Sequence, residues 1–248
     1  MAEGDILIGR NPVSEAIKAG NRINRICIAQ GCDDRAKRIA EEAERAGIAV
    51  EFVPAKVLDG MTKYAKHQGV VAEVPEHEYA SLEDVYALAE SKGEDLFVVV
   101  LDGISDPGNI GAIIRSAECA GAHGVIIPKR RAGGVTPVAA KASAGASEYM
   151  PCVRVTNIAR TLDELKEKGV WIAACDMDGE NYSDANLTGP IAIVIGSEGS
   201  GIGRLVKEHC DFTVSIPVLG HIDSLNASNA AAVIMYDIVR QRRAKQEK

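Results

Sequence analysis

A chain of 248 residues, 46% of them hydrophobic, can bury the core of one large or two small domains. Its longest apolar runs, 96–101 and 191–195, fall far short of the roughly 18 residues that suggest a membrane span, and its start has no basic stretch leading into an apolar one. A cytoplasmic protein without a membrane partner is expected. The net charge of −7 argues against indiscriminate phosphate binding, but the excess is local, since residues 76–94 carry six acidic side chains and one basic one. Basic clusters remain at Lys129-Arg130-Arg131 and from Arg240 to Lys245, the latter readable as a solvated face. Six cysteines occur without a Cys-x-x-Cys or a close His pair, so reduced thiols and no metal are expected.

In chain order, Ile6 to Ile8, Ile23 to Ala29, Ala49 to Val53 and Val70 to Val74 read as strands. Asn11 followed by Pro12 has the form of a helix start, and Asp33 to Ala46 places Ala36, Ile39, Ala40 and Ala43 on one helical face. Residues 1–75 therefore form a small α/β domain. Pro75 to Tyr79 breaks the pattern, and residues 76–94 read as an acidic linker with one short helix from Ser81. From 95 to 248 the period becomes strand, turn, helix. Leu96 to Leu101, Gly124 to Ile127, Val170 to Ala174, Ile191 to Ile195 and Phe212 to Ile216 are apolar runs of the kind buried on both faces of a parallel sheet. Helices fit Asn109 to Ala120, Ile158 to Lys168, Ile202 to His209 and Asn226 to Arg243, giving a mostly parallel sheet covered on both sides.

Three turns in the second domain stand where strands hand over to helices, the ligand-binding edge of an open α/β sheet. The first runs from Asp102 through Pro107-Gly108-Asn109 to Arg115. Asn109 can cap its helix, whose stripe is Ile110, Ile113, Ile114, Ala117 and Ala120, while Arg115 points roughly 140° away from Ile110. Spacing alone makes Arg115 an ordinary surface residue. The second, Gly196-Ser-Glu-Gly-Ser-Gly-Ile-Gly203, fits neither G-x-G-x-x-G nor the Walker spacing, yet holds a single carboxylate, Glu198, in a backbone permissive enough for close approach of a ligand. The third runs from Ile216-Pro217 through Gly220 to Ser224-Leu225-Asn226-Ala227-Ser228, and its three capping-type residues exceed what one helix start requires.

Together these segments resemble the signature motifs of the SpoU/TrmH family of RNA ribose 2′-O-methyltransferases in the SPOUT superfamily. The likeness extends through Lys141 to Glu148 and Cys210-Asp211, and Gly9 to Ala16 with His67-Gln68-Gly69-Val70 resembles the family's RNA-substrate-binding domain, itself similar to a small ribosomal protein. Within that family it resembles the RlmB-type branch, which implies action on a guanosine in the peptidyl-site loop of large-subunit ribosomal RNA. The resemblance implies a trefoil knot in the C-terminal domain, a homodimer formed through it, and S-adenosylmethionine as cofactor. By position it makes Asn109, Arg115, Glu198, Ser224, Asn226 and Ser228 the catalytic set, and Gly196, Ile216 and Leu225 the residues whose backbone holds the cofactor. Arg115 is then expected to stabilise charge on the ribose oxygen or clamp a phosphate, with Asn109 and Glu198 orienting it and the ribose, and Ser224, Asn226 and Ser228 shaping the last turn over the cofactor. The general base stays open. Alternatives are the same chemistry on transfer RNA or at the ribosomal site that gives thiostrepton resistance, and a non-catalytic RNA-binding factor in ribosome assembly.

Overall fold

A computed structural model describes residues 5–246 other than 19, 76 and 131, and the chain divides into two compact units after His77. The first contains β1 (Asp5–Ile8), α1 (Arg10–Lys18), β2 (Arg25–Ala29), α2 (Asp34–Arg45), β3 (Val50–Val53), α3 (Ala55–Met61) and β4 (Val70–Val74). Its sheet has the order β1-β4-β2-β3, parallel only between β2 and β3. The Asp33 carboxylate caps α2 by accepting from the Ala36 N–H at 3.1 Å, and Ala36, Ile39, Ala40 and Ala43 are buried as the spacing predicts. The start of α1 differs from expectation. The helix begins at Arg10, so Asn11 lies inside it and its Oδ1 accepts from Arg35 at 3.0 Å. The short α3 was not expected, because only Leu58 of its seven residues is buried and no periodicity results.

The second unit contains α4 (Leu82–Lys92), β5 (Phe97–Asp102), α5 (Pro107–Cys119), β6 (Gly124–Pro128), α6 (Pro137–Ala142), a 3-10 turn at Ala146–Glu148, β7 (Cys152–Val155), α7 (Ile158–Glu167), β8 (Trp171–Asn181), β9 (Ile191–Gly196), α8 (Arg204–Glu208), β10 (Phe212–Ser215) and α9 (Ala227–Gln246). Six strands in the order β10-β8-β9-β5-β6-β7 pair in parallel throughout. Alternation along β5 explains its unbroken apolar run. Phe97, Val99 and Leu101 enter a core with α5 and α9, and Val98 and Val100 enter a second core with α4 and α7.

Two expectations change. Residues 78–94 are the first layer of the second unit rather than a linker. Ser81 and Asp84 close a capping box, Val85 and Ala89 of α4 are buried against Val98 and Val100, and Ala80 bridges Val153. The periodicity is faint because those are the helix's only two buried residues. The C-terminal basic cluster is only partly a solvated face. Arg240 pairs with Asp237 at 2.6 Å, while Arg242 donates to the carbonyls of Asp95, Leu96 and Gly189 and lies over the Phe97 ring. Burial lowers the Arg242 guanidinium from its usual range, and Arg243 and Lys245 remain exposed. In the other cluster Lys129 and Arg130 are exposed, and Arg131 lies outside the described residues.

Candidate active site

The strand order reverses between β5 and β9, neighbours at the centre of the sheet, and such a switch point leaves a crevice at the carboxyl ends of the strands. Asp102 and Gly196 end the two strands side by side. The first turn leaves β5 there, the second leaves β9, and the third leaves β10.

One polar side chain from each turn meets the other two. Asn109 was expected to cap α5, but Asp106 does so, its carboxylate accepting from the Gly108 N–H at 3.2 Å with Pro107 in the first turn. Asn109 is thereby released to the site. Its Nδ2 donates to Glu198 Oε1 at 3.0 Å, and Asn226 Nδ2 donates to the same oxygen at 2.6 Å and to Asn109 Oδ1 at 2.9 Å. Asn226 Oδ1 accepts from the Ser228 hydroxyl at 2.6 Å and from the N–H groups of Ser228 and Asn229 at 3.0 and 3.3 Å. A single amide therefore caps α9 and ties it to the other two turns.

The first glycine of the second turn has a steric reason. Ser197 and Gly201 pair across the turn, which folds back so closely that a Cβ on Gly196 would overlap the backbone of Gly201 and Ile202. At its exit the Gly203 N–H donates to Asp102 Oδ2 at 2.7 Å, fastening the turn to the end of β5.

Beside this network lies a cavity of about 350 Å³ lined by Gly196, Glu198, Ile216, Ser224 and Leu225, with Cys175, Asp176 and Met177 on another wall. That last wall exists because the β8–β10 pairing jumps from Ala174 opposite Thr213 to Glu180 opposite Val214, leaving Cys175 to Gly179 without partners on β10 while Cys175 still pairs with Ile195 of β9. Lys207 of α8 holds the excursion by pairing with Asp176 at 2.8 Å and Asp178 at 2.7 Å. Hydrogen bonding to Asp176 raises the Lys207 ammonium above its usual range, and hydrogen bonding to Lys207 lowers the Asp178 carboxyl. Sequence reasoning missed Asp176 and Met177. The signal was present in Asp176-Met-Asp-Gly179, which interrupts an apolar strand with charge and a glycine.

Of the expected catalytic residues, Asn109, Glu198, Asn226 and Ser228 are joined in one network, and Ser224 stands exposed at the cavity. Gly196, Ile216 and Leu225 all line the cavity. Arg115 is elsewhere. It follows Asn109 by six residues on α5, which sets it ~9 Å along and ~120° around the helix axis. It is exposed, and among the described residues no hydrogen bond or ion pair holds it. Among the described residues neither Asn109 nor Glu198 bonds Arg115; they bond each other and Asn226 instead.

Residues 96–236 match the model of the SpoU rRNA methylase family. The chain belongs to that family. A second model, for the substrate-binding domain of RNA 2′-O ribose methyltransferases, matches residues 6–80, so both units of this SpoU protein are accounted for. It is 47% identical over 240 residues to YacO of Bacillus subtilis (strain 168), assigned by name to the TrmH family of tRNA/rRNA methyltransferases, with 96% of each chain covered. Among solved structures it resembles the SpoU methyltransferase AviRb of Streptomyces viridochromogenes, crystallised with AdoMet. That match has a TM-score of 0.64 and 28% identity, covering 98% of this chain and 92% of AviRb. It also resembles an RNA 2′-O ribose methyltransferase with a TM-score of 0.57 and 26% identity, covering 97% of this chain and 90% of the other.

Proposed function

We propose that this SpoU protein methylates a ribose 2′-hydroxyl in ribosomal RNA with S-adenosylmethionine, its target a guanosine in the peptidyl-site loop of the large-subunit RNA, in the cytoplasm. The observation that carries the reading is the meeting of Asn109, Glu198 and Asn226, from three turns, beside a cavity lined by Gly196, Ile216 and Leu225. The residues fit the cofactor. Ile195, Ile216, Val218 and Leu225 provide apolar walls for a flat base, and Glu198 offers a carboxylate to a sulfonium cation. When bound, the cofactor supplies an electrophilic methyl carbon to an oxygen nucleophile.

The chain's own residues then have separate tasks. The three-turn network fixes the cavity wall beside which the ribose must lie, and holding reactants in register is itself a large part of such a barrier reduction. A guanidinium offers a planar fork of N–H donors and no acceptor, so the role of Arg115 is to stabilise negative charge on the ribose oxygen or to clamp the adjacent phosphate. Because Arg115 is exposed, without a partner among the described residues and turned away from Asn109, we place it in the site of a second copy, in a homodimer formed through the C-terminal unit. The trefoil knot belongs to the same proposal. The first unit contributes RNA affinity, supported by its match to the substrate-binding model.

The test supplies labelled S-adenosylmethionine with ribosomal RNA and transfer RNA from a strain lacking the gene. Label in ribosomal RNA, lost with Arg115→Ala, is the expected result. Label confined to transfer RNA would move the target, and label in neither would end the assignment.

A further inference from the structure

The first unit carries a loop that the active-site chemistry leaves unused. Between α3 and β4, Lys63, Tyr64 and Gln68 adopt left-handed backbone with φ of 50°, 64° and 52°, a region that residues with a Cβ enter only at an energetic cost. The loop is pinned on both sides. The Tyr64 N–H donates to the Asp59 carbonyl at 2.8 Å, and the buried Thr62 hydroxyl donates to the Leu58 carbonyl at 2.9 Å. His67 meets Asp59 Oδ1 through Nε2 at 3.1 Å and accepts the Gly69 N–H on Nδ1 at 3.0 Å, while Arg10 Nε donates to the Gln68 carbonyl at 2.8 Å.

What this pinned backbone presents is Tyr64, 82% exposed, between exposed Lys63 and Lys66. Among the described residues neither lysine has an ion-pair partner. A large ring held outward gains nothing from the chain itself. Its flanking cations, where a protein-docking surface would carry apolar neighbours, select an anionic partner with a flat face. Unpaired nucleobases joined by phosphates have that chemistry, since a base stacks on an aromatic ring while lysines neutralise the adjacent phosphates.

We infer that Tyr64 is a stacking platform for an unpaired base of the RNA substrate, with Lys63 and Lys66 on the neighbouring phosphates. This rests on the reading of the protein as an RNA-modifying enzyme and adds where, and in what form, the RNA is grasped. An unpaired base is required, because the face of a paired base inside a duplex is already stacked.

The test measures binding of the full-length protein to a fluorescein-labelled single-stranded RNA of mixed sequence and to the same strand annealed to its complement, with thermal melts confirming that each variant is folded. Tyr64→Ala and Tyr64→Leu should weaken single-strand binding by about 5- to 150-fold and leave duplex binding unchanged, while Tyr64→Phe should bind as the wild type does. Changing both lysines to Gln should reduce the slope of log affinity against log salt by about 1.4, or 0.7 for each lost phosphate contact. Wild-type affinity in Tyr64→Ala, retention by Tyr64→Leu, or equal losses for single strand and duplex would overturn the inference while the RNA reading stood. Failure of the wild type to bind either RNA would overturn both.

Discussion

At the scale of single residues, Asn226 carries the most, because its two amide ends do different jobs. Replacing it with Ala removes the α9 cap, worth about 1 kcal/mol, together with both links to Glu198 and Asn109. Asn226→Asp keeps the capping oxygen but sets a second carboxylate against Glu198. Thermal melts and single-turnover methylation should therefore separate the variants: Asp near the wild type in stability, Ala less stable, and both slow. An Asp variant as fast as the wild type would show that the amide donor is dispensable. A second residue sets a pH limit. His123 is fully buried, its Nδ1 accepts the Phe97 N–H at 3.0 Å, and burial lowers its pKa from about 6.5 despite the contact with Glu94. Below that value the unfolded chain takes up a proton that the folded chain resists, so the His123 contribution is complete above about 6.5 and shrinks as pH falls. The melting temperature should drop on that acid side, and His123→Gln should flatten the drop whatever it does to absolute stability. Asn109, Glu198, Asn226 and Ser228 were legible as a set only through the family likeness. The cap-forming chemistry of Asn109, Asn226 and Ser228 is equally that of any turn, and the Asp106 cap that frees Asn109 is three residues from the cap the spacing suggested.

At the scale of elements, the site depends on backbone closeness in the second turn. Gly196→Ala places a methyl group against the backbone of Gly201 and Ile202, and the turn can relieve this only by opening. Overpacking of this kind costs about 1–3 kcal/mol. Because the same turn lines the cavity, calorimetry should show cofactor binding lost in Gly196→Ala even where the melt shows a folded protein. Unchanged binding would mean the turn is not the cofactor's wall. The strands of the second sheet were readable because burial on both faces leaves unbroken apolar runs, as in Phe97 to Leu101. The excursion of β8 at Cys175 to Gly179 was not, since it is dictated by the pairing with β10 and by Lys207, contacts made by residues some thirty positions away. The short helix expected from Ser81 is present as α4, but its packing was not legible: its charged outer face dominates the sequence, while the two residues that anchor it are small and few.

At the scale of the molecule, the proposed function divides recognition from chemistry between the two units. Residues 1–77 hold none of the three turns, so a protein lacking them should keep cofactor affinity and lose RNA affinity, with a shallower salt dependence by about 0.7 per phosphate contact removed. Equal RNA affinity in the two forms would assign substrate binding to the second unit. Whether the network of Asn109, Glu198 and Asn226 marks a site for methylating a ribose hydroxyl can be measured directly on the RNA. A 2′-O-methyl group makes the following phosphodiester resistant to alkali, so ribosomal RNA incubated with the protein and S-adenosylmethionine can be mapped at every nucleotide. A single new resistant position is expected at a guanosine of the peptidyl-site loop, absent when the protein carries Arg115→Ala. Methyl groups found only on bases, or a resistant position that persists with Arg115→Ala, would contradict it.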